Sequence, residues 1–251
     1  MSSGDSLIHF PAGNNIFPDW MWVAYTGGDN EPAVGDVIWG DTSDANAYLE
    51  YYIQLTGTWA GSDSAGFMLL SNWEGTAWTS GEDWTSGSST PGDDGTFTTV
   101  PVKCFATFNT INNVPVIDFD DTVNEVAIFV GVMPEHYAGG GLTITLALAG
   151  AAATGDVSFA GMIRSFTDDV DNLLHTSFNA WGTRQDNTAI DAPSVIGELT
   201  YDDLTFTSGA QMDSLAAGEF FQLLIMRDAQ DSTNDDMSGD ASLVYVDIKE
   251  T

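Results

Sequence analysis

Period-two alternation of apolar and polar residues runs through this chain, and clusters of turn-forming residues interrupt it repeatedly. In ASLVYVDI, Val244, Val246 and Ile248 share one side, while Leu243, Tyr245 and Asp247 share the other. Successive side chains of a strand point to opposite faces, so this spacing predicts a half-buried strand. In EFFQLLIMRD, Phe221, Leu223 and Ile225 alternate with Phe220, Gln222, Leu224 and Met226. Both sides are apolar there, which predicts a strand buried on two faces or lying at an interface. The same reading places strands at 48–55, 66–71, 103–108, 115–119, 125–133, 142–148, 156–166, 175–181 and 196–206. Between them lie GGDN, AGSDSAG, PGDDG, AGGG, ATGD, SGAQMD, AAGE and MSGD, whose Gly, Asp and Asn suit tight turns. A 3.6-residue period is never sustained; only 43–47 and 208–216 could form short helices. The expectation is an all-β protein.

Composition agrees. Of the 37 acidic residues 28 are Asp and 9 are Glu, a skew toward the acid that favours turns over helices. Only five basic residues oppose them, Lys103, Arg164, Arg184, Arg227 and Lys249, for a formal charge of −32. They are scattered, so they make no phosphate track, and nucleic acid and anionic membrane are not expected partners. Such a charge suits a salty medium that screens self-repulsion, which points to a marine or hypersaline setting. Cys104 is the single cysteine, which excludes an intrachain disulfide. The opening MSSGDSLIHFPAG lacks the basic start and apolar run of a signal peptide. The longest apolar stretch, LTITLALAGAAA, is too short to span a bilayer as a helix.

Seven of the eight tryptophans precede residue 102. This divides the chain into a Trp-rich β region over 1–102 and a second region over 103–251. The strand-like runs of the second suffice for a jelly-roll-type antiparallel β-sandwich, which takes eight. The loop SGSSTPGDDG (86–95) reads as the most flexible of the first region.

Three segments, PVIDFDDTVNEVAIFVGVMPEHYAGGGLTITL (115–146), SGAQMDSLAAGEFFQLLIMRDA (208–229) and MSGDASLVYVDI (237–248), resemble a group of tailed-phage proteins. These are common in viruses of marine and other aquatic bacteria and are virion-surface or tail-associated β-proteins. The resemblance covers about residues 105–250, in matching order, and leaves out the Trp-rich beginning. It implies a fold and a virion setting; it carries no functional residues with it.

Three candidate sites follow from residue types. Trp73, Trp78 and Trp84 lie in NWEGTAWTSGEDW among acids and hydroxyls. They suit burial in a core, a subunit contact, or stacking on host glycan. Asp231, Asn234, Asp235 and Asp236 offer the hard oxygens that Ca²⁺ takes, as do Asp118, Asp120 and Asp121, and Asp168, Asp169 and Asp171. None has the EF-hand order, and solvated turn acids are the plainer reading. Carboxylate pairs are uninformative in so acidic a chain. His9, His136 and His175 fall in no catalytic spacing, and no Gly-x-Ser-x-Gly, HExxH or phosphate loop occurs. The expectation is therefore a non-enzymatic structural virion protein without an obligatory cofactor. It would be a capsid decoration protein or head fibre on the virion surface, made in the host cytoplasm. Its partners would be itself, as a homotrimer, and other virion proteins such as a major capsid protein. A glycan-binding tail or fibre module and a jelly-roll major capsid subunit are the alternatives.

Overall fold

The computed structural model describes residues 6–16, 19–87, 92–152, 154–171, 180–187, 189–193 and 195–251. The described residues form an all-β protein. Residues 175–179 of one expected strand and 88–91 of the expected flexible loop lie outside this set.

The chain divides into two compact units. One comprises Met1–Phe17, Phe105–Asp171 and Trp181–Thr251; the other is built on Pro18–Cys104. The division differs from the expected boundary after residue 102 at both ends. The exit from the second unit is at Cys104, and the first residues belong with the C-terminal part. The reason is pairing: β1 (Ser6–Pro11) and β2 (Asn15–Ile16) hydrogen-bond to strands more than a hundred residues later. The Trp-rich unit is thus an insertion in the sequence of the larger one.

The inserted unit contains β3 (Met21–Gly28), β4 (Val37–Gly40), β5 (Asn46–Thr56), β6 (Ser64–Glu74), β7 (Asp83–Ser86), β8 (Gly95–Phe97) and β9 (Val102–Lys103). Its sheet runs β6-β5-β4-β7-β8-β3, and a further ladder between β3 and β6 closes it into a six-stranded barrel, with β9 on the same edge of β3 as β8. The ladders are antiparallel. Closure removes the open edges that β-proteins must otherwise protect. Residue 43, the start of an expected short helix, lies in a turn before β5.

Val23, Tyr25, Ile38, Ala47, Leu49, Met68, Leu70, Trp78, Trp84 and Phe97 fill the barrel interior. Glycines make room for rings this large. Gly95, at φ 154°, lies under the Trp84 indole, where an added Cβ would come within 2.8 Å of Nε1. The Trp78 ring crosses Gly40 in the same way, at 2.5 Å.

The larger unit continues with β10 (Thr107–Ile111), β11 (Val114–Phe119), β12 (Val126–Val132), β13 (Leu142–Gly150), β14 (Asp156–Val157), β15 (Phe159–Phe166), β16 (Gln185–Asp186), β17 (Ile190–Asp191), β18 (Leu199–Phe206), β19 (Phe220–Arg227) and β20 (Ala241–Glu250). One sheet runs β10-β11-β20-β13-β18, with β1 also on β20; the other runs β16-β15-β19-β12-β2. Both sheets contribute to one core, Leu142, Ile144, Leu146 and Leu148 from β13 meeting Phe221, Leu223 and Ile225 of β19. β19 is a central strand, and Leu224 and Met226 on its second face are as buried as the first. The two-sided apolar pattern is therefore that of an interior strand, and it gives no support to a subunit contact.

Strict alternation fails in β20. The register slips between Ala147 and Leu148, so that Tyr245 and Leu243 take successive partners and Val244 is the extra residue. A bulge of this kind turns the strand over. Leu243, Val246 and Ile248 consequently all enter the core, and Val244 does not. The expected helix at 208–216 is a short 3₁₀ turn, Ala210–Met212.

Candidate interaction surface

The structure places the expected aromatic site inside the barrel unit. Trp84 is fully buried and Trp78 nearly so; Trp73 is half-buried and packs against the same cluster. Trp78 stacks on Phe97 with centroids 4.2 Å apart, Trp73 meets it edge-on at 4.4 Å, and the Trp78 Nε1 donates to the Ala45 carbonyl at 2.9 Å. Stacking on a sugar needs an open ring face, and Trp78 and Trp84 have none. Their polar neighbours are the turns between short strands, while the core that receives the rings comes from distant strands.

The expected calcium site is otherwise engaged. Asp235 is buried and receives Arg227 Nε at 2.9 Å and Nη2 at 2.8 Å. The remaining Arg227 donors go to the carbonyls of Phe119, Gly239 and Met237, which satisfies the whole guanidinium. Asp236 Oδ1 accepts the Asp156 N–H at 2.7 Å, and Asp231 accepts the Thr233 N–H and the Asn234 side-chain amide. Bonds from Asn234 and Thr233 hold the Asp231 carboxyl below the usual range. Among the described residues, no group of three or more His, Cys, Asp or Glu is placed to hold a metal ion. These acids brace a loop around a buried cation.

The barrel unit has an open cleft of about 390 Å³ lined by Glu31, Gln54, Leu55, Thr58 and Trp59. Tyr52 donates to the Glu31 carboxylate, and burial, with that bond, raises the phenol pKa. Gln54 is turned onto the Gly57 carbonyl at 2.8 Å, and Trp59, 9% exposed, stacks on Tyr25. The polar groups around this cleft are thus largely engaged with one another.

The surface that stands out is the β10–β11 hairpin. Ile111 and Val114 pair across a two-residue turn, Asn112-Asn113, with φ of 50° and 65°. Two successive left-handed residues are what a type I′ hairpin turn requires, and Asn tolerates them. Every residue of β10 is exposed. Phe108 retains 49% of its surface in solvent, Ile111 37% and Val114 45%. Among the described residues β10 pairs with β11 alone, so its far side is an open edge.

Edges are normally blunted by charge, by shortness or by cover. Three of the other edges follow that rule, and β1, which among the described residues pairs with β20 alone, bears His9 and ends in Pro11. β18 carries Asp202 and Asp203, while β16 and β2 are two residues long. β10 reads TFNTI, and the sequence from Cys104 to Ile117 contains no charged residue. Sequence reasoning missed this surface because it merged 103–108 into one strand. In the structure that run leaves the barrel unit at Cys104 and enters the larger unit at Phe105. The legible signal was the Asn-Asn pair between two β-rich runs.

Compared with known proteins, the chain matches no family model, and no curated sequence matches it.

Proposed function

We propose that the chain is a structural subunit of a phage virion and that its larger unit is a jelly roll. The observation carrying this reading is the set of ladders. With β11, β12, β13, β15, β16, β18, β19 and β20 counted as strands one to eight, one pairs with eight, two with seven, three with six and four with five. Those are the pairings of a long antiparallel hairpin folded on itself. Ladders of three with eight and four with seven then roll the hairpin into two sheets. This wrapping supports a jelly roll, an architecture found in viral capsid and lectin domains and in cupins.

A fold alone does not choose among those functions. The choice rests on where the resemblance to tailed-phage proteins falls. Its three segments contain all of β11 but Val114, then β12 and the start of β13, then β19, then most of β20. They supply neighbouring strands in both sheets, while the barrel unit lies outside the resemblance. On this reading the chain is a decoration protein or head fibre on a major capsid protein, and its acidic exterior suits a particle in saline water. The glycan-binding alternative has lost the stacking faces of Trp78 and Trp84. The test is immunogold labelling of intact particles with antibody against the chain. Regular label on the head or tail surface is expected, and label confined to soluble lysate would overturn the reading.

A further inference from the structure

We propose that β10 is a self-association edge, and that two copies of this chain join by antiparallel β10–β10 pairing about a twofold axis at Asn109. The inference deepens the structural-subunit reading and rests on it for the identity of the occupant.

Geometry sets the register. In a two-residue hairpin the closing pair, here Ile111 and Val114, exchanges both hydrogen bonds. Alternation then turns the backbone groups of Ile111, Asn109 and Thr107 toward β11, and those of Phe108 and Thr110 toward the open side. The outward groups are symmetric about Asn109. A twofold there sets Phe108 against Thr110 of the second copy, and Thr110 against its Phe108, giving four backbone hydrogen bonds. Asn109 faces its own counterpart in a non-hydrogen-bonded pair. The two Phe108 rings become diagonal neighbours on one face, within reach of each other. In the single chain Asn109 Oδ1 accepts the Thr110 N–H at 2.7 Å, and its Nδ2 donates to Asp118 at 2.6 Å. Pairing replaces the first of these with a backbone carbonyl and leaves the second intact.

Charge selects the occupant. A basic partner would be drawn to carboxylates, and 104–117 offers none. A second copy carries −32 and is repelled by most of this chain's surface, so an uncharged, half-apolar edge is where two copies can meet. Contact through a twofold is isologous and closes at two, in place of the trimer expected from the sequence. Its strength rises with salt, since the screening length falls from about 10 Å at 0.1 M to about 3 Å at 1 M.

The test is light scattering after size exclusion at low and at molar salt, on the full chain and three variants. The wild type is expected at twice the chain mass in molar salt. Thr110→Pro removes an outward donor at a position where an edge tolerates proline, and Phe108→Lys adds an edge charge. Both should be monomeric at the same salt with unchanged circular dichroism and melting. Asn109→Cys should crosslink into dimers on oxidation, because the twofold brings the two Cβ atoms to disulfide range and Cys104 is buried. A wild type monomeric at every salt, or a dimer that Thr110→Pro and Phe108→Lys leave intact, would overturn the inference. A monomer that still labels particles ends this inference alone; a β10-paired dimer absent from particles ends the virion reading alone.

Discussion

Arg227 and Asp235 face each other in a bidentate ion pair, both fully enclosed, with Nη2 to Oδ1 at 2.8 Å. The pair ties the end of β19 to the loop before β20, and Asp235 Oδ2 also accepts the Ser158 N–H at 3.1 Å. Taking two charges out of water is costly, so such a pair is stable only when every donor and acceptor is met. Here Arg227 also fastens the loop through the Met237 and Gly239 carbonyls and reaches the end of β11 at the Phe119 carbonyl, which makes it the organising centre of that end of the larger unit.

Breaking this pair leaves the other charge buried. Asp235→Ala is expected to destabilise the protein by about 3–5 kcal/mol, as removal of one partner of a buried pair does. Urea denaturation followed by circular dichroism measures it. A loss below about 1 kcal/mol, the range of exposed pairs, would contradict the account. Calcium titration of the wild type should leave the melting temperature unchanged.

Stability should fall as pH rises from 5 to 8. Glu125 is pushed up to about 7: burial raises it most, the Asp120 N–H opposes, Asp120 and Asp240 add like charge, and Arg227 opposes again. A carboxyl with a folded value above the usual 4.5 favours folding fully below pH 4.5, and that contribution is lost as pH rises through about 7. Asp240 is raised as well, first by burial and then by Asp118, Asp120 and Asp121, and acts in the same direction. Glu125→Gln should flatten the decline and be the more stable protein at pH 8. Equal slopes for variant and wild type would show that Glu125 is not its source.

The barrel unit has an acid of the opposite sign. Burial would raise Glu82, but N–H donors from Thr79, Ser43 and Thr42, at 3.0, 2.6 and 2.8 Å, outweigh it and hold the carboxyl below the usual value. Its contribution is present above pH 4.5 and is lost as pH falls through the lower folded value. Glu82→Gln should cost about 1–3 kcal/mol at neutral pH, since an amide cannot accept all three bonds as well. The difference from wild type should shrink on acidification, and a constant difference would refute the assignment.

Trp84→Ala should cost about 3–5 kcal/mol, the usual loss for a large aromatic removed from a core. Trp73→Ala, at a half-buried position, should cost clearly less. Chemical denaturation of both variants ranks them, and an equal or inverted order would place the rings wrongly.

Much of the larger unit was legible because β12, β13, β15, β18, β19 and β20 are long enough to display a period. The barrel was not. β4, β7 and β8 have three or four residues, too few for alternation to register, and closure depends on Met21–Leu70 pairing, a contact between distant residues. Local sequence around Trp78 and Trp84 describes their turns and says nothing of the strands that cover them. Val244 shows a different limit: a bulge changes which face a residue takes without changing its residue type. The β10 edge was missed for a related reason, because the apolar run at 103–108 continues across the boundary between units.

The most direct test of the central claim is quantitative mass spectrometry of gradient-purified particles. A structural subunit predicts the chain in a fixed ratio to the major capsid protein across preparations, as the symmetry of a closed assembly requires. Absence of the chain, or a trace amount that varies between preparations, would contradict the account.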